Sequence, residues 1–246
     1  MPTRLVHLVM DANDVPALAG FWAAALGWEI DDPSDEEIGV APAGFSYPGP
    51  DAVPLVLVPV PEPKAGKNRV HLDLASDTLA HQAELVSRVR DLGARPVDIG
   101  QGDVPWVVLA DPEGNEFCIL EPREVYAGTG PVAAIVMDCA DPAAEARFWA
   151  QAAGWPVLQA ADNIVGLRSP SGAGPYLELL RVPGASTVKD RLHPDVAPFR
   201  GETVAAEAAR LVRAGASPAD VGQGDDVTWT VLADPEGHEF CVLSPR

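Results

Sequence analysis

The chain has 246 residues, about 47% apolar and 22% charged, ordinary proportions for a globular protein able to bury a sizeable core. Seventeen Lys and Arg against 36 Asp and Glu give a formal charge of −19, which argues against nucleic acid and against an anionic membrane surface as partners. No apolar run approaches the ~20 residues of a bilayer span, no signal peptide is legible in residues 1–20, and three cysteines make no disulfide framework. A cytoplasmic location is the expectation.

Arg4–Met10 alternates as a strand does, sending Val6, Leu8 and Met10 to one face and His7 to the other. Val15, Leu18, Trp22 and Leu26 then repeat at helical spacing. Asp14 stands at the N-cap of this helix and Gly27 at its left-handed stop. Short strands follow near Trp28–Asp31, Ile38–Ala41 and Pro54–Val60, with the acidic stretch Asp31–Glu37 read as solvated loop. The pattern restarts with a strand over Arg69–Ala75 and a helix over Thr78–Leu92 stopped by Gly93. Strands near Arg95–Asp98, Trp106–Ala110 and Glu116–Leu120 complete it. The order is β-α-β-β-β, written twice.

The second half of the chain repeats the first. Val104–Leu120 and Val227–Leu243 agree at 13 of 17 positions, and Phe21-Trp22 and Gly27-Trp28 recur as Phe148-Trp149 and Gly154-Trp155. A period this long marks duplicated domains, expected at 1–123 and 132–246 with a Gly-rich linker at 124–131. The fold class is therefore α+β: two tandem domains of paired βαβββ modules, each forming a cupped sheet with helices on its outer face. Fusing two copies supplies what a homodimer of single domains would supply, so a monomer is plausible and a homodimer is the other possibility.

Alternation also selects the residues that line the cups. His71 and Asp73 face away from the leucines beside them, His7 joins that face, and His193 and Asp195 repeat the arrangement. Tyr176 and Glu178 share one face of their strand, and Trp106 and Trp229 precede or begin strands beside the cups, where aromatic rings can stack on a flat ligand. Polar groups on an inward face need partners, so the cups are expected to be wet or to hold a ligand. Asp111-Pro112-Glu113-Gly114 reads as a hairpin turn, and Gly100-Gln101-Gly102 as a loop over the cup mouth. His81 and His238 are expected to be exposed bystanders.

The helix ending Phe-Trp-(x)4-Leu-Gly-Trp at 21–28, the Arg-Val-His-Leu-Asp-Leu strand at 69–74 and the Ala-Asp-Pro-Glu-Gly-Asn-Glu-Phe-Cys block at 110–118 resemble the vicinal oxygen chelate superfamily, which includes glyoxalases, bleomycin-resistance proteins and extradiol dioxygenases. In its metal-using members, ligands come from a His or Gln on the first strand, often a Glu on the fourth, a His on the fifth and a Glu on the eighth. The resemblance carries these positions onto His7, Val56, His71 and Cys118 in the first copy. In the second copy they fall on Ala134, Glu178, His193 and Cys241, so neither copy has the full set. Members also build cups from halves of different domains. His7 would then meet His193 and Cys241, while Glu178 would meet His71 and Cys118.

These incomplete sets imply, as the first reading, a metal-independent protein that binds a drug or metabolite in its cups, with Trp106, Trp229, Tyr176, Asp73 and Asp195 as ligand contacts. The alternative is a lyase, isomerase or dioxygenase using a divalent ion (Zn, Ni, Mn or Fe) held by His7, His71 and Cys118, or by His193 and Cys241. Glu116 and Glu178 are then the candidate catalytic carboxylates.

Overall fold

The computed structural model describes residues 3–246 apart from Asp32, Asp35, Pro48, Pro50, residues 185–188, Gln223, Asp225 and Asp226. Part of the acidic stretch and of the second Gly-Gln-Gly-Asp loop thus lies outside the described residues. The first half runs β1 (Thr3–Ala12), α1 (Val15–Leu26), β2 (Glu29–Asp31), β3 (Ile38–Ala41), β4 (Leu55–Pro59), β5 (Val70–Leu74), α2 (Leu79–Asp91), β6 (Arg95–Pro96), β7 (Val107–Ala110) and β8 (Glu116–Ile119). A 3-10 turn at Glu124–Tyr126 follows. The second half repeats the order as β9 (Val132–Cys139), α3 (Pro142–Ala152), β10 (Val157–Ala161), β11 (Ile164–Arg168), β12 (Tyr176–Arg181), β13 (Leu192–Pro198), α4 (Val204–Ala214), β14 (Ser217–Pro218), β15 (Thr230–Ala233) and β16 (Glu239–Val242).

The helix ends obey local chemistry. Asp14 accepts a hydrogen bond from the Ala17 amide at 3.1 Å, and Gly27 closes α1 with φ of 66°. In α3, Asp141 caps and Pro142 takes the first turn, where its missing N–H costs nothing. Each Asp-Pro-Glu-Gly segment is a hairpin turn closed by a glycine at positive φ, 92° at Gly114 and 84° at Gly237. Its acids also reach outward. The Glu113 carboxylate accepts from the Asn13 and Asp14 amides at 2.7–2.9 Å, at the N-terminus of α1, and Glu236 serves Ala140 and Asp141 ahead of α3. Asp111 accepts from the Trp22 indole at 3.2 Å and Asp234 from the Trp149 indole at 3.0 Å.

Those two tryptophans centre the helix-side core. Trp22 packs edge-on against Phe21 and Phe117, and Trp149 does the same against Phe148 and Phe240. All six rings are buried, and with the leucines of β1 and β5 and with Ile135 and Met137 of β9 they form one continuous cluster.

Strand pairing crosses the halves. The first sheet runs β14-β15-β16-β13-β1-β4-β3-β2 and the second β10-β11-β12-β9-β5-β8-β7-β6. Each eight-stranded sheet therefore takes four strands from either half, joined at the antiparallel pairs β1–β13 and β5–β9. The register slips between Leu5 and His7, so Val6 is a bulge. Leu5 consequently joins the helix-side core and Val6 packs in the cup with Ala197, Val231, Cys241 and Leu243. This corrects the alternation that placed Val6 with Leu8 and Met10.

Charged side chains seal the seam between halves. Arg69 holds Asp190 with two bonds of 3.0 and 2.7 Å. His238, expected to be exposed, is fully buried there. Its Nδ1 lies 3.0 Å from Asp190 Oδ2 and its Nε2 2.9 Å from the Asp138 carbonyl. Burial pulls its pKa down, but Asp190 and Asp234 outweigh that and the net shift is upward. In the sister turn Asn115 stands in its place and bonds Asn68 at 3.1 Å. His81 is half-buried on α2, accepting from the Asp77 amide at 3.2 Å.

Candidate functional site

The cross-pairing sorts the candidate residues into two unlike cups. On the first sheet, His7 of β1 lies opposite Asp195 of β13, with its Nε2 3.0 Å from Asp195 Oδ2. The Cys241 amide donates to the other oxygen at 3.1 Å. His193 Nε2 sits 3.4 Å from Asp195 Oδ1 and 3.7 Å from the Cys241 sulfur. Tyr47 closes over the group, donating to the Val6 carbonyl at 2.6 Å with its hydroxyl 3.4 Å from His7 Nδ1. On β4 the residue in line with Val9 and His193 is Val56, so this cup has no carboxylate there.

On the second sheet the same rows carry different chemistry. Asp73 lies opposite Ala134, which lies beside Tyr176, and His71 lies opposite Val136, which lies beside Glu178. His71 Nε2 is 3.5 Å from Asp73 Oδ1, too long for a good hydrogen bond, and that oxygen is buried without a partner. Glu178 accepts from the Tyr126 hydroxyl at 2.9 and 3.2 Å, and the rings of Tyr126 and Tyr176 meet edge-on at 5.8 Å. Arg123 stacks over Trp106 at 5.3 Å.

Electrostatics in the second cup follow from burial. It depresses His71 to about 3, helped by Lys67, so the imidazole is neutral. Burial, then the nearby Glu178, raises Asp73 to about 7. Burial and the adjacent aspartate push both the Cys118 and Cys241 thiols far up, and burial raises Glu178 against the pull of Tyr126.

His7 therefore never meets His71 or Cys118: β1 belongs to one sheet, β5 and β8 to the other. The groupings formed are His7 with His193 and Cys241, and Glu178 with His71 and Cys118. Glu116 and Glu239 stand at strand starts and face the seam. Glu116 binds Lys64 at 3.0 Å and the Asn68 amide at 3.2 Å, while Glu239 accepts from the Asp190 amide at 3.2 Å. A side chain so engaged is not free to move a proton in a cup. Trp106 packs against the cluster of the second cup and donates to Gln101 at 2.7 Å, whereas Trp229 is 40% exposed and lies outside the apolar cluster of the first cup. Tyr47, Tyr126 and Arg123 escaped the sequence reading. Tyr47 sits in a loop and Arg123 and Tyr126 at the 3-10 turn, all without periodicity, and only the fold brings them over the strands.

The donors of the second cup fit a metal ion. His71, Asp73 and Cys118 offer ligand atoms all within 4.8 Å of one another. His193, Asp195 and Cys241 form the matching group in the first cup, but there His7 and the Cys241 amide already engage the carboxylate.

A family model described as a glyoxalase-like domain matches residues 7–120 and again residues 134–243. No curated protein matches the chain by sequence. Among solved structures the chain is similar to glyoxalase I from Zea mays, at 16% identity and a TM-score of 0.67 over 98% of this chain and 92% of that one. It also matches a glyoxalase/bleomycin resistance protein/dioxygenase family enzyme from Burkholderia phytofirmans PsJN, at 19% identity and a TM-score of 0.38 over 47% of this chain and 96% of that one.

Proposed function

The chain belongs to the glyoxalase-like domain family in both of its halves, and on that premise we propose that it binds a small organic molecule in its second cup without needing a metal ion. The observation that carries this reading is the inventory of that cup. Three aromatic rings, of Tyr126, Tyr176 and Trp106, pack in its apolar cluster. Of the four family ligand positions, the first strand offers only Ala134 and the eighth a cysteine whose thiol burial keeps protonated. The fourth offers Glu178, which Tyr126 already holds through both oxygens. Such a cup is furnished to enclose and orient a ligand, as a drug- or metabolite-sequestering protein does.

A thermal-shift screen of metabolites and drug-like molecules, run with a chelator present, tests this. Ligands of the second cup raise the melting temperature of the native protein and lose that effect in Tyr176→Ala. At a hundredfold excess over Kd the stabilisation is about 2.7 kcal/mol. Protection seen only when a divalent metal is supplied contradicts the reading.

A second reading is favoured by one observation, the close approach of His71, Asp73 and Cys118. Imidazole, carboxylate and thiolate together suit zinc, iron or nickel better than manganese. An ion there would act as a Lewis acid toward neighbouring ligand oxygens. In that case Glu178, with its raised pKa, is the cup carboxylate able to hold a proton, and Tyr126 orients it.

A further inference from the structure

A cavity past the end of the second sheet lies outside both cups, and we propose that it is a further small-molecule site, taking the carboxylate of an apolar-bodied acid on Arg88. It encloses about 610 Å³ between the C-terminal end of α1 (Ala25, Leu26, Gly27), the face of α2 that carries His81, Leu85 and Arg88, and the segment joining the two halves. That is the size of an ordinary ligand pocket. Leu74 and Leu120 line it where the parallel strands β5 and β8 end, so it does not open on the cup face. Tyr126 belongs to both linings.

In the other half of the chain the same space is filled by a side-chain network. Val89 of α2 and Leu211 of α4 are the most deeply buried residues of their helices. Counting back from them sets Leu85 against Glu207 and Arg88 against Arg210, and the repeated Val-Met-Asp at 9–11 and 136–138 sets Gly130 against Thr3. Thr3 and Glu207 are buried. Glu207 accepts from the Thr3 hydroxyl at 2.9 Å and from Arg210 Nε at 2.8 and 2.9 Å. Arg210 Nη2 also donates to the Gln151 carbonyl at 3.0 Å, near the end of α3.

In the first half the anchor is kept and the plug is missing. Arg88 Nη2 donates to the Ala25 carbonyl at 2.8 Å near the end of α1, as Arg210 does at α3. Leu85 holds the position of the carboxylate, and Arg88 makes no ion pair among the described residues. Gly130 stands where the other half has its threonine, and a Cβ built there meets nothing within 4 Å. A ligand carboxylate on Arg88 supplies the absent charge partner, and its apolar body then lies along Leu85 and Leu26. The acids on the wall do not compete for Arg88. Glu121 holds Arg123 with bonds of 2.7 and 3.2 Å, Glu124 is exposed, and Asp77 stands beside His81, about two turns away along α2.

Octanoate, octanamide and octylamine differ in charge and share one length, roughly the 10 Å that separates His81 from Arg88 along the helix axis. Each is titrated into the full chain with protein-observed NMR. Octanoate is expected to shift Leu85, Arg88 and Gly130, with the other two weaker by roughly tenfold or more. Arg88→Gln, at an exposed helix position, should cut octanoate binding by a similar factor. Arg90→Gln, also exposed but outside the lining, should leave it unchanged. Leu85→Glu gives Arg88 the carboxylate of the other half and should exclude octanoate as well. Octanamide or octylamine binding as tightly as octanoate overturns the carboxylate assignment, and so does unchanged octanoate affinity in Arg88→Gln. Octanoate shifts confined to Tyr176 and Glu178 of the second cup overturn the location. Binding of none of the three overturns the site as a whole, while the reading of the second cup stands or falls on its own ligand screen.

Discussion

At the scale of single residues, the duplication makes each copy a control for the other. The Asp73–Ala134 and Asp195–His7 pairs differ by one side chain, and so do Leu18 and Glu145 on α1 and α3. Leu18 is buried in the core, and Glu145 is equally buried with neither carboxylate oxygen partnered. Burial first, then Asp234, raises the pKa of Glu145, so the folded protein holds this carboxyl protonated. The unfolded chain releases that proton above its ordinary pKa of about 4.5, so folding stability falls as pH rises from there toward the raised folded value. Glu145→Leu, which copies the sister helix, should raise stability by roughly 1–3 kcal/mol near pH 8 and flatten that decline. Urea unfolding of both proteins at pH 5 and pH 8 measures it; a variant less stable at pH 8 would contradict the assignment.

At the scale of elements, most of the architecture was legible in the chain. Helical spacing, Asp14, Pro142 and Gly27 place α1 and α3 because capping and turn chemistry are local. What was not legible depends on contacts between distant segments. The bulge at Val6 is set by pairing with β13, and the burial of His238 by Asp190 and Asp138. Its turn reads almost letter for letter like the one carrying Asn115. The Asp-Pro-Glu-Gly turns were read as turns, yet Glu113 also supports the N-terminus of α1, 99 and 100 residues away in sequence. Glu113→Ala removes these bonds and the Arg191 ion pair at 2.9 Å. A loss of about 1–2 kcal/mol in chemical denaturation is expected, with the secondary structure kept. A loss below about 0.3 kcal/mol would show that the amides find water just as well.

At the scale of the molecule, the central fact is that neither sheet belongs to one half. The strands Val70–Leu74 and Leu192–Pro198 both offer His and Asp to the same face, so β1 carries no local signal choosing between them. Only the assembled topology chooses, and it sets His7 on Asp195 and leaves Asp73 facing Ala134. Because each sheet already draws on both halves, the two halves pair with each other within one chain. Light scattering on purified protein should give the mass of one chain. A stable mass of two chains would show that a further surface, outside the β1–β13 and β5–β9 seams, takes part in assembly.

The small-molecule reading stands or falls most directly on metal content. Untagged protein purified without chelator should carry well under one equivalent of zinc, nickel, manganese or iron per chain. Titrating those ions should leave its melting temperature unchanged. One equivalent of tightly held metal, lost together with thermal stability on His71→Ala, would contradict the metal-independent account and make His71, Asp73 and Cys118 a metal centre.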